Sequence, residues 1–135
     1  MKFNNETIRT AVKEWLDDTK KTEEKYGHIS NWDVSNVTDM YHLFYFSKSF
    51  NEDIGKWNVS NVTNMQGMFS VAASFNGDLS NWNVSNVTDM QSMFSGAASF
   101  NGDISTWNVS SANNMSYMFS GATNFNQDIA SWNVG

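Results

Sequence analysis

NWNVSNVTDMQSMFSGAASFNGDIS, residues 81–105, is one copy of a pattern that returns every 25 residues along most of the chain. Trp stands at 32, 57, 82, 107 and 132, with Val two residues later at 34, 59, 84, 109 and 134. Ile29, Ile54, Leu79, Ile104 and Ile129 precede each Trp by three. Further columns are Met40, Met65, Met90 and Met115; Leu43, Met68, Met93 and Met118; and the Phe columns beginning at Phe44 and Phe50. A register held this long identifies a repeat protein before any other reading applies.

Each unit carries two periodicities. Trp57 and Val59 alternate with Asn58 and Ser60, the pattern of a very short strand. Val62, Met65, Met68, Phe69 and Ala72 then follow at the spacing of an amphipathic helix, with Ser60 or Thr63 available as its N-cap. Gly96 and Gly121 suit helix ends, and the Phe-Asn-x-Asp tetrads suit turns. One such unit cannot bury its apolar face alone, whereas stacked units can. The expected fold is therefore α/β: a leucine-rich-repeat-like solenoid with a short parallel strand and a helix in each 25-residue coil. Its coils start near 29, 54, 79, 104 and 129, filling a repeat domain over residues 27–135.

Residues 1–26 stand outside the repeat. Ile8, Ala11, Val12, Trp15 and Leu16 form one apolar stripe, with Asn4 or Asn5 as N-cap, and predict an amphipathic helix that caps the first coil. The last strand pattern, SWNVG, has no helix pattern after it, so the C-terminal coil is expected to be uncapped and to offer a surface for end-to-end self-association.

At 135 residues the chain is long enough to bury roughly two thirds of its unfolded surface as one domain. All eight Lys and Arg lie at or before Lys56, and the net charge is −6. Phosphate backbones and anionic lipid surfaces need cations, so the repeats are expected to bind neither nucleic acid nor membrane surface. No apolar run reaches the ~18 residues of a membrane helix, so no direct membrane insertion is expected. There is no signal or anchor pattern, and the absence of Cys excludes disulfides and thiolate zinc sites.

Trp-Asn-Val-Ser-Asn-Val-Thr-Asp-Met (82–90), Met-Phe-Ser-Gly-Ala (93–97) and Phe-Asn-Gly-Asp-Ile (100–104) together resemble the BspA-type leucine-rich-repeat surface proteins. The same repeat is found in mycoplasma surface lipoproteins. The lead-in VKEWLDD and KYGHISNWDVSNVTDM is similar to the usual entry into the first repeat. The resemblance implies a right-handed solenoid at a cell surface or outside the cell, engaged in adhesion or host interaction and without catalysis.

Few residues are left for chemistry. Asp53, Asp78, Asp103 and Asp128 share a column, preceded by an Asn ladder at Asn51, Asn76, Asn101 and Asn126. Carboxylate and amide oxygens suit calcium, but side-chain bonding to turn amides explains the same column. Asp39, Asn64, Asp89 and Asn114 suit the positive end of a helix dipole. His28 and His42 do not recur and make no catalytic constellation, and the Met columns read as core filling. Most of the eight Asn-x-Ser/Thr sequons follow from the repeat itself. No cofactor is expected. The binding face expected on the sheet is the outward row Asp33, Asn58, Asn83, Asn108 and Asn133, flanked by Ser35, Ser60, Ser85 and Ser110. The function expected is a non-enzymatic surface interaction or adhesion module for a protein or glycan. A structural spacer or self-associating array is the alternative, and an ice-, crystal- or calcium-binding solenoid is a more distant one.

Overall fold

Five backbone hydrogen bonds join each unit to the next between residues 38 and 120. A computed structural model of the chain describes residues 1–132, so Asn133 and Val134 lie outside the described residues. Met65, Gly67, Phe69 and Val71 donate their amides forward to Asp89, Gln91, Met93 and Ser95 at 2.8–2.9 Å, and Thr63 donates back to Thr38 at 2.8 Å. The forward bonds repeat from Met40, His42, Phe44 and Phe46 and from Met90, Ser92, Phe94 and Gly96, and the backward bond recurs at Thr88 and Asn113.

This pairing overturns the expected secondary structure. The chain has α1 (Asn5–Asp17), α2 (Thr19–Tyr26) and a 3₁₀ turn at Ile29–Asn31. Among the described residues there is no β-strand or sheet, and no helix within the repeats. The contact between coils reaches only isolated parallel bridges, Asp39 to Asn64, Asn64 to Asp89 and Asp89 to Asn114. The α/β leucine-rich-repeat solenoid, with a parallel strand and a helix per coil, is therefore not the fold. What forms is a stack of irregular 25-residue coils.

The reason lies in the amides. An α-helix uses each interior N–H within itself, four residues back. Here alternate amides leave the coil, and the intervening ones, Met68, Ser70 and Ala72, bond only three residues back, to Met65, Gly67 and Phe69. Gly67 and Val71 take left-handed φ angles of 62° and 58°, which no α-helix tolerates. The apolar spacing that imitates a helix is a run of linked tight turns. The Trp-Asn-Val-Ser segment is likewise bent rather than extended, because Asn58 Oδ1 accepts the Ser60 amide at 3.1 Å.

Aromatic columns fill the centre. Phe44, Phe69, Phe94 and Phe119 stack with centroids 5.5–5.8 Å apart. Phe50, Phe75, Phe100 and Phe125 run beside them at 5.8–6.0 Å. The Trp column faces these rings, and each indole N–H reaches back to a buried carbonyl. Trp57 bonds Ile29, Trp82 bonds Ile54 and Trp107 bonds Leu79, each at 2.9 Å. Trp therefore fills volume and satisfies backbone at once, a pair of tasks that Leu or Phe cannot combine.

The first coil meets residues 1–26 instead of another repeat. Phe3, Ile8, Ala11, Val12 and Trp15 join the core, whereas Leu16, expected in the same stripe, is 44% exposed. Asn4 is the N-cap of α1, in a capping box with Thr7. Asn5 Oδ1 accepts the Thr38 amide at 2.8 Å, replacing the carbonyl that a preceding coil would present. The helical stretch divides at Asp18, whose carboxylate caps α2 through the Lys21 amide.

Phe94→Ala opens the column between Phe69, Phe119 and Phe100 and should cost about 3–5 kcal/mol in denaturant unfolding. Trp82→Phe should cost about 1 kcal/mol through loss of the indole bond to the Ile54 carbonyl, which keeps the Trp57 amide as its other donor.

Candidate functional site

The exposed polar columns are built from side chains that bend the backbone. Asp33, Asn58, Asn83 and Asn108 each accept both the amide and the hydroxyl of the serine two residues on, with hydroxyl distances of 2.6–2.7 Å. Ser35, Ser60, Ser85 and Ser110 are thus the other halves of these turns. Of the expected binding row, Asn133 falls outside the described residues. The side-chain oxygens of Asn58, Asn83 and Asn108 are committed, yet among the described residues no acceptor engages their Nδ2 groups. A row of exposed amide donors is left, one per coil, beside Trp rings that repeat at 6.4 Å.

The Asp column turns the chain in the same way. Asp53, Asp78, Asp103 and Asp128 accept the amides of Gly55, Ser80, Ser105 and Ala130 at 2.9–3.0 Å. The Ser80 and Ser105 hydrogen bonds hold the carboxyls of Asp78 and Asp103 below their ordinary range. Among the described residues, no cluster of three or more His, Cys, Asp or Glu side chains converges to hold a metal. The neighbouring Asn residues form a true ladder: Asn51, Asn76 and Asn101 each accept the amide 25 residues on at 2.8 Å. Asp39, Asn64, Asp89 and Asn114, expected at a helix start, instead form the bridge column and accept the amides of Tyr41, Gln66, Gln91 and Ser116.

His28 sits at the junction between α2 and the first coil, accepting the Ser30 amide at 3.1 Å with Nε2 3.5 Å from Glu52. His42 is placed differently. Its ring lies between Tyr41 and Tyr45, with centroids at 3.9 and 4.5 Å, and Phe46 packs edge-on against Tyr45. Tyr41, Tyr45 and Phe46 are 39%, 44% and 51% exposed. The backbone is left-handed at His42 and Phe46, a cost of about 1–2 kcal/mol per non-glycine residue. A Cβ on Gly67 would collide with the His42 ring, so the second coil has glycine where the ring rests.

Sequence reasoning from shared columns passed over this cluster. Its signal was departure from the repeat: residues 41–46 read YHLFYF where 66–71 read QGMFSV and 91–96 read QSMFSG. Beside it, Arg9, Lys13, Leu16, Leu43, Tyr45 and Ser47 line a shallow groove of about 160 Å³.

Partial burial, and then the Arg9 cation, lower the pKa of His42 from its ordinary 6.5. A lowered histidine pKa means that folding favours the neutral ring. Its contribution is complete above pH 6.5 and is lost as pH falls through the folded-state value. The melting temperature should therefore decline as pH drops below about 6.5, and His42→Asn should flatten that part of the profile.

None of the described helices is long and apolar enough to cross a membrane. No curated protein and no solved structure matches the chain. The repeat pattern matches that of a described family over residues 10–132, nearly the whole of the stack and most of α1, and the chain belongs to that family, described as Mycoplasma protein of unknown function, DUF285.

Proposed function

We propose that the chain is a non-enzymatic interaction module that presents its stacked coils to a protein or glycan at a cell surface. The observation that carries this reading is the row of Asn58, Asn83 and Asn108. Their oxygens are locked by Ser60, Ser85 and Ser110, while their amide donors are exposed at a fixed repeat. A ligand with regularly spaced acceptors would meet donors already ordered, which lowers the entropy cost of binding. The surface location draws on the resemblance of the repeat to BspA-type proteins and mycoplasma surface lipoproteins. Replacing Asn58, Asn83 and Asn108 together by Asp keeps every turn acceptor and removes every donor. Folding should be unchanged by circular dichroism, and affinity for a partner captured from host-cell or cell-wall material should fall at least tenfold. Undiminished affinity would remove this row from the interface.

A second reading, a self-associating array, is favoured by the last described coil. Its amides at Met115, Tyr117, Phe119 and Gly121 have no partner among the described residues, whereas the equivalent amides of earlier coils are paired. Tyr117 is 70% exposed, and Phe119, Phe125, Ile129 and Trp132 are only partly covered. On this reading sedimentation shows concentration-dependent association that an added C-terminal cap abolishes; a monomer in both forms would refute it.

A further inference from the structure

We propose that the aromatic stack Tyr41–His42–Tyr45 with Phe46, together with Arg9, Lys13 and Lys48, is a binding platform for an anionic saccharide. It deepens the interaction-module reading and rests on it, but it uses none of the residues of the asparagine row.

The platform is a built feature. Three aromatic side chains are exposed at positions where other coils carry Gln, Ser, Gly or Val, and their rings are held by contacts of 3.9–4.5 Å. His42 and Phe46 sit at the left-handed positions that recur in every coil, and Gly67 makes room for the central ring. Exposed large apolar groups held together are a feature of binding sites.

The ligand class follows from what surrounds the rings. Exposed ring faces offer stacking surfaces for the C–H faces of pyranose rings. Arg9 and Lys13 line the groove beside Tyr45, and Lys48 lies 5.7 Å from the centroid of Phe46. Residues 1–56 hold all eight bases but also ten acids, so the complement to an anionic ligand is local, in the cations grouped beside the rings. Arg9 is shared with Asp39 at 3.5 Å, leaving Lys13 and Lys48 as the main counter-charges. An added peptide strand finds no free amide donors here, because Met40, His42, Phe44 and Phe46 already donate to the second coil. A groove of about 160 Å³ is also too shallow for the large buried anchors of a typical protein interface. Three cations are too few for tight binding of a phosphate backbone.

The probes are a size-defined heparin oligosaccharide and a hyaluronan oligosaccharide, representing sulfate and carboxylate forms of the same chemistry, with neutral dextran as control. The whole chain should bind at least one anionic probe, and dextran at least tenfold more weakly. The variant Tyr41→Gln/Tyr45→Ser/Phe46→Gly carries the residues of the third coil and keeps the fold's own solutions at those positions. It should lose at least tenfold in affinity while its melting temperature stays near that of the parent. Lys13→Ala/Lys48→Ala should weaken binding and flatten its salt dependence. Binding of neither probe, or full affinity in the aromatic variant, overturns the platform. Tighter binding of poly-glutamate or single-stranded DNA overturns the ligand class. If the saccharide is lost only when Asn58, Asn83 and Asn108 become Asp, the platform is refuted while the interaction-module reading stands.

Discussion

Alternate backbone amides that leave one coil to bond the next are the constraint on which the rest of this structure depends. Once Met65, Gly67, Phe69 and Val71 donate to Asp89, Gln91, Met93 and Ser95, those amides are lost to any helix. The remaining amides can close only tight turns, and left-handed residues appear where the turns meet. The coil spacing set by these bonds also fixes the distance at which phenylalanine and tryptophan rings of neighbouring units stack. Backbone pairing and core packing are thus two consequences of one repeat distance.

The same constraint explains why polarity comes from Asn, Asp and Ser more than from Lys or Glu. Each complete coil has three corners, at the positions of Asp53, Asn58 and Asn64, where a side-chain oxygen accepts the amide two residues on. Either Asn or Asp satisfies such a corner, because only the oxygen is used. Charge then becomes the discriminating factor. Carboxylates about 5 Å apart repel by about 1 kcal/mol even in bulk water. The column Asp39, Asn64, Asp89 and Asn114 alternates the two residues and doubles the distance between like charges. The Asp53 column does not alternate; its members face solvent, and serine donors stabilise Asp78 and Asp103.

Much of the fold was legible in the chain. The 25-residue register, the buried Trp, Val, Met and Phe columns and the Asn51 ladder follow from direct self-comparison. The helix and strand did not materialise, because the spacing of Val62, Met65, Met68, Phe69 and Ala72 is shared by an α-helix and by a run of three-residue turns. Hydrophobic pattern records which residues face inward, and it does not record where their amides point. The site was less legible. Self-comparison highlights positions that agree, and the aromatic stack lies where Tyr41, His42, Tyr45 and Phe46 disagree with their copies.

By itself, the sequence determined that neighbouring units stack in 25-residue register and which side chains meet, since only identical partners at that spacing let every apolar column pack on itself. It determined also that residues 1–26 differ in kind from the rest. Only the tertiary structure decided that the described residues of the coils carry no α-helix and no strand. Hydrogen bonds between coils and within a helix compete for the same amides, and stacking with a neighbour settles that competition. The tertiary structure likewise decided that His42 stands upright between two tyrosines, because the space its ring occupies is created by a glycine 25 residues away.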